Sequence, residues 1–206
     1  MSQPKRIYTN GGPVQVGGGV YIERKADHDL LRHCHGGDYV FILTSRQVGK
    51  SSLMNNVVRQ LKADDDTESV IVDLARMGAH LSAEQWYQGL LTRIERKFGL
   101  GINVADWWQA HQNLGDADRF TLFLQEELLA QVPNHIVIFI DEIDTTLSLK
   151  FSDDFFAALR SMHQARTSAP EFHRLSFVLI GVATPHDLIH SGSNTPSACC
   201  GFIMCE

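Results

Sequence analysis

The chain is short of the features that mark secreted, membrane-bound or nucleic-acid-coating proteins. Its four cysteines, Cys34, Cys199, Cys200 and Cys205, show no CxxC spacing, which leaves neither a disulfide framework nor a zinc-ligand pattern and fits reduced thiols. His33-Cys34-His35 makes a poor metal cluster, because adjacent side chains on one segment do not converge on a single ion. No apolar stretch approaches the length of a membrane-spanning helix, and Met1-Ser2-Gln3-Pro4-Lys5-Arg6 has no apolar run behind it, so a cytoplasmic location and no membrane partner are expected. Positive charge is also scarce: 18 Lys and Arg stand against 24 Asp and Glu, for a net charge of −6. Nucleic acid is therefore not an expected partner, a local basic patch aside. The basic run from Arg93 to Lys97 reads as a solvated helix face.

What the chain does carry is an apolar run, Tyr39-Val40-Phe41-Ile42-Leu43, feeding directly into Thr44-Ser45-Arg46-Gln47-Val48-Gly49-Lys50-Ser51-Ser52. This is a strand followed by a phosphate-binding loop. In the pattern GxxxxGK(S/T), backbone N–H groups and a helix N-terminus cradle the phosphates, the lysine reaches the β and γ oxygens, and the hydroxyl holds Mg²⁺. Gly49, Lys50 and Ser51 fill the last three positions, while Thr44 stands where the first glycine belongs. A β-branched residue resists positive φ, so the loop is expected to begin with ordinary dihedrals.

A second motif supports the first. Ile136-Val137-Ile138-Phe139-Ile140 is an unbroken apolar run that ends in Asp141-Glu142-Ile143-Asp144. Such a run suits a parallel strand covered on both faces. Of the paired acids at its end, the first would hold the metal's water shell and the second would polarise an attacking water.

At 206 residues there is room for one α/β domain. Residues 1–19, rich in glycine, read as a flexible arm. A helix is expected over 25–35, stopped by Gly36-Gly37, and another from Lys50 to about Ala63, closed by the charged turn Asp64-Asp65-Asp66. Ser69 to Leu74 reads as a strand; Ser82, with Gln85 three residues on, has the spacing of a capping box for a helix running to Phe98 and ended by Gly99. Trp107-Trp108 reads as a core or lid contact, Arg119–Gln131 as an apolar-striped helix, and Ser152 as the cap of a helix with Asp153 and Asp154 in its first turn. A last apolar strand, Leu175 to Val182, ends in Ala183-Thr184-Pro185. Thr184 could sense the γ-phosphate or the attacking water, or simply cap the next turn.

Taken in order, Tyr21-Ile22-Glu23-Arg24, LTSRQVGKSSL from Leu43 to Leu53, Glu84-Gln85-Trp86-Tyr87, Ile140-Asp141-Glu142-Ile143-Asp144, and Gly181-Val182-Ala183-Thr184-Pro185 with Asp187-Leu188-Ile189 resemble the bacterial AAA-like domain family. That family is related to the origin-recognition and signal-transduction (STAND) branches of P-loop ATPases. The resemblance spans about residues 15 to 190. It implies a three-layer α/β core of the additional-strand type, whose parallel sheet has the sensor strand between the two motif-bearing strands. It implies ATP and Mg²⁺ as cofactors, with Ser45, Arg46, Gln47, Val48, Gly49, Lys50, Ser51 and Ser52 wrapping the phosphates after Thr44. Ser51 and Asp141 would hold the metal, Glu142 would activate water, Lys50 and Thr184 would attend the γ-phosphate, and Tyr21 would lie near the adenine.

The domain is accordingly expected over 20–190. Residues 191–206, with their burst of cysteines, are expected to form an irregular tail, consistent with a truncated or frame-shifted product that lacks the family's C-terminal lid. The function implied is a nucleotide-dependent signalling switch with slow hydrolysis, acting on protein partners or through self-association. The alternatives are a DNA-associated helper ATPase or a noncatalytic interaction module. The sequence shows no evident arginine finger: Arg160, Arg166 and Arg174 lie in the right half of the chain, but nothing sets one apart from a surface salt-bridge partner.

Overall fold

The computed structural model describes residues 22–44, 49–78, 81–147, 149–182 and 200–202. The expected arm over 1–19, Tyr21, the loop residues Ser45 to Val48, and Thr184 lie outside the described residues. The chain opens with α1 (Lys25–His35), β1 (Tyr39–Thr44), α2 (Lys50–Leu61) and β2 (Thr67–Asp73). Then come α3 (Ala83–Phe98), α4 (Val104–Ala110), α5 (Asp116–Phe123), a π-helical turn at Leu124–Leu128, and α6 (Leu129–Gln131). β3 (His135–Asp141), α7 (Asp144–Leu147), α8 (Ser152–Gln164), β4 (Leu175–Val182) and β5 (Cys200–Phe202) complete it.

The strands form one parallel sheet in the order β2-β3-β4-β1-β5. β4 therefore separates the strand that leads into the phosphate loop from the strand that ends in the acids, as the additional-strand resemblance implies. Alternation along the strands divides their side chains between two cores. Tyr39, Phe41, Val70, Val72, Ile138, Ile140, Phe177 and Leu179 face the helices α3, α5 and α8. Val40, Ile42, Val137, Phe139, Val178 and Ile180 face α1 and α2. A strand apolar on both sides can be stable only under helices on both faces, and this produces the three layers.

Local chemistry matches the sequence in several places. Ser82 Oγ accepts from Gln85 N, Gln85 Oε1 accepts from Ser82 N, and Gly99 closes α3 at φ +65°. Trp108 is fully buried beneath the Arg119 guanidinium, which lies 4.6 Å from its ring. Trp107 packs on the same core and donates from Nε1 to Glu127.

Elsewhere the structure corrects the sequence. Ser152 is not a cap but the first residue of α8; Phe151 precedes it and is held by ring contacts with Trp86 and Tyr87, so packing rather than a hydroxyl sets the start of the helix. The helix expected from Arg119 begins at Asp116 and loosens into the π turn. Cys200–Phe202, inside the segment expected to be irregular, pairs with β1 at Tyr39–Phe41. No helix among the described residues is long and apolar enough to cross a membrane.

Two arginines close the amino ends of the strands. Arg166 donates to the carbonyls of Gly37, Phe172 and Leu175 and lies 4.9 Å from the Tyr39 ring, while Arg174 donates to Leu129, Val132 and Asn134. Each guanidinium ties together carbonyls from segments far apart in the chain. Arg174→Ala is expected to lower the unfolding free energy by about 2–4 kcal/mol, as for other broken charged hydrogen-bond networks, with an unchanged urea m-value.

The same end of the sheet holds His135, whose Nε2 lies 2.9 Å from Ser176 Oγ, and His163, edge-on to Tyr39. Burial holds both imidazoles below their ordinary value of 6.5. The unfolded chain therefore takes up protons near that pH that the folded chain refuses, so stability is present above it and is lost as pH falls. Urea midpoints are expected to drop between about pH 7.5 and about pH 5.5, with a shallower slope in His135→Gln.

Candidate functional site

Strand register brings the motifs to one edge. Thr44, the last residue of β1, pairs with Val182 of β4, and Asp141, the last of β3, pairs with Ile180 of the same strand. On the far side Asp141 pairs with Asp73 of β2. The carboxyl ends of β1, β4, β3 and β2 thus finish in line. In open α/β sheets this edge is where ligands bind.

α2 starts on this edge. Gly49 precedes it at φ +82°, a left-handed conformation that glycine adopts without strain, and its carbonyl accepts from Leu53 N at 2.9 Å. The first turn of α2 carries no acid, so no side-chain carboxylate from that turn competes for the positive end of its dipole. Ser51 is exposed and Ser52 is buried, so only the first of these hydroxyls faces outward. A Cβ built on Gly49 would lie 3.6 Å from the Arg24 guanidinium, which places a second cation beside the loop.

Arg24 is anchored from below. Its backbone N–H donates to Asp27 Oδ2 at 2.9 Å, and Asn56 Nδ2 of α2 donates to Asp27 Oδ1 at 2.8 Å. Arg59 donates in turn to Asn56 Oδ1 at 2.9 Å. Asp27 is 1% exposed and Asn56 fully buried, so this polar network fixes α1 against the helix that begins at Lys50. Sequence reasoning missed Asp27 and Asn56. The spacing of Arg24 and Asp27 across a helix start was visible, but the partner 29 residues on was not.

The acids sit at the tip of β3. Asp141 is half-buried, and burial pushes its carboxyl above the ordinary value; repulsion from Glu142 and Asp73 adds to this, while the Glu142 N–H at 3.0 Å and the Lys50 charge work against it. A desolvated carboxylate with two acidic neighbours is a site that gains from a divalent cation. Glu142, at φ +60°, is the left-handed residue other than glycine among those described, and such strain is concentrated at functional positions.

The other candidates separate from this edge. Arg166 and Arg174 face the opposite end of the sheet, about 25 Å away over the eight residues of β4, so neither reaches the acids. No group of three potential metal ligands converges among the described residues, which removes His33-Cys34-His35. Cys34 is buried, with its thiol pushed up to about 12, and is therefore inert.

The AAA-like domain family model matches residues 9–194. An uncharacterised WD repeat-containing protein of Synechocystis is 37% identical over 210 aligned residues, covering 94% of this chain but 18% of that protein. The chain thus spans less than a fifth of the curated relative it matches. Among solved structures, the Aeropyrum pernix ORC2 protein aligns with a TM-score of 0.66 at 18% identity, covering 97% of this chain and 50% of that one. A Walker-type ATPase of Pyrococcus abyssi aligns with a TM-score of 0.57 at 16% identity, covering 90% and 54%. The Aeropyrum pernix ORC1 protein in complex with DNA gives 0.58 at 12% identity, covering 88% and 44%. With the motif strands in the expected order and the family matched over most of its length, the chain belongs to the AAA-like domain family and has the P-loop ATPase fold of the origin-recognition proteins.

Proposed function

We propose that this chain is an ATP-binding switch domain with slow, Mg²⁺-dependent hydrolysis, working within a longer protein. What supports the reading is the strand register, which ends β1 and the acid-bearing β3 on the same edge of the sheet, on either side of β4, with α2 starting just after β1. Lys50 and the α2 N-terminus bind phosphate oxygens; Ser51 and Asp141 supply the hydroxyl and carboxylate that suit Mg²⁺. Bound Mg²⁺ would neutralise charge developing on the phosphates. Glu142 orients and deprotonates water, and Thr184 remains the candidate for sensing the γ-phosphate.

ATP rather than GTP follows from the family, and the chain has no N/TKxD element to read guanine. The commitment of Arg166 and Arg174 to backbone carbonyls at the far end of the sheet supports slow turnover. The WD repeat-containing relative, much longer than this chain, supports a domain whose nucleotide state is read by attached interaction modules.

Titration with a fluorescent ATP analogue in Mg²⁺ tests the reading. Lys50→Ala is expected to weaken binding about 10- to 100-fold, as when a charged hydrogen bond is lost. Glu142→Gln is expected to keep affinity within about threefold while slowing hydrolysis about 10²- to 10⁴-fold. Wild-type protein that is folded and yet binds no analogue would leave a noncatalytic scaffold.

A second reading has one observation in its favour. Lys62, Arg76, Arg93, Arg96 and Lys97 converge on a groove along β2, the outer strand of the sheet, and some fold neighbours were solved with DNA. Asp73 and Glu68 pair with two of these cations, Arg76 and Lys97, and the chain as a whole is acidic. We therefore expect no retention on immobilised duplex DNA at physiological salt. Retention that falls steeply with salt and disappears in an Arg93→Glu, Arg96→Glu double variant would make the DNA-associated reading the correct one.

A further inference from the structure

We propose that Asp144 is a positioning residue: it fixes the tip of β4 to the turn after β3 and so sets the orientation of Glu142. The inference rests on the ATPase reading above and assigns a role to the third acid of the motif.

β3 stops pairing with β4 at Asp141 and Ile180 because the chain turns away at Glu142. The ladder does not end there. Ile143 N–H donates to the Ile180 carbonyl at 2.9 Å. Val182, two residues on, presents its N–H to the same side of β4, where β3 no longer offers a carbonyl. Asp144 Oδ1 takes that place and accepts from Val182 N at 2.9 Å. The side chain thus does the work of the strand that has turned away.

Gly181 independently shows how close the approach is. A Cβ there would lie 2.8 Å from Ile143 Cγ2, 2.9 Å from Asp144 Oδ1 and 3.3 Å from Asp144 N. Only a residue without a side chain lets the turn lie flat against the β4 tip. Gly181 has no unusual φ, so space rather than dihedral freedom is what the position demands.

The held turn contains the strained residue. Glu142, at φ +60°, holds a left-handed conformation that a residue with a side chain keeps only if its neighbours fix it. On one side it is tied to Asp141, whose Oδ1 accepts from its N–H. On the other, its carbonyl accepts from Thr145 N at 3.0 Å and from Thr145 Oγ1 at 2.8 Å. Between these ties Ile143 and Asp144 are pinned to β4. Releasing Asp144 lets Glu142 relax, and the side chain that must face water leaves its line.

Asp144→Ala and Asp144→Asn separate this role from general stability. Asn keeps an oxygen that can accept from Val182, whereas Ala does not. For Asp144→Ala we expect kcat to fall about 10- to 100-fold, the loss typical of a misplaced catalytic group, with ATP affinity within about threefold of wild type. Asp144→Asn should recover most of kcat. In the nucleotide-free protein, hydrogen exchange at the Val182 amide should be about tenfold faster in Asp144→Ala and unchanged in Asp144→Asn.

If Asp144→Ala does not fold, Gly181→Ala, which crowds the same contact, should show the same split between kcat and affinity. An unchanged kcat in Asp144→Ala, equal loss of affinity and kcat, or an Asn variant as impaired as Ala would each overturn the inference. Wild-type protein that binds ATP without turnover would overturn the inference together with the hydrolysis proposed above and leave ATP binding standing, whereas wild-type protein that binds no ATP overturns the proposed function first.

Discussion

Everything at the candidate site depends on β4 being buried on both faces and paired along both edges. Seven of its eight residues are buried, and its only buried polar side chain, Ser176, meets His135. A strand enclosed in this way can contribute backbone and apolar side chains to its surroundings, and little else until it ends. It therefore serves as the rigid spacer between β1 and β3, holding the loop-bearing and acid-bearing strands two strand spacings apart, about 10 Å. That spacing leaves room on the edge for a phosphate chain and its metal.

The electrostatics of the edge follow from this spacing. Asp73 and Asp141 end neighbouring strands and Glu142 follows directly, and desolvation disfavours the ionised form of Asp141. Facing them are the Lys50 charge, the positive end of α2 and the guanidinium of Arg24 beside Gly49. The two halves lie on either side of β4. A polyanion carrying a divalent cation complements both halves at once: the phosphates meet the positive side and the metal meets the acids.

Much of this was legible in the sequence, and the reason is specific. The motif strands are apolar at every position because they are covered on both faces, and a run such as Ile136 to Ile140 followed at once by Asp141 and Glu142 is what a buried strand ending at a polar site looks like. The capping box at Ser82 was legible because its two partners are three residues apart. Interactions that span the chain were not. In sequence nothing sets Arg166 and Arg174 apart from surface arginines, and only the fold reveals them as clamps on carbonyls contributed by segments up to 129 residues away. Asp27 and Asn56 met for the same reason, across α1 and α2. The start of α8 was misread because a packed ring at Phe151 replaced the hydroxyl that the spacing suggested.

The distribution of tryptophan has a practical side. All three, Trp86, Trp107 and Trp108, belong to the helical layer built from α3 and α4, and all pack in the core on the face of the sheet away from α1 and α2. Intrinsic fluorescence from this protein is therefore an optical probe of one layer. It follows the melting of that layer faithfully, but reports an event at the start of α2 only insofar as the sheet carries the disturbance across.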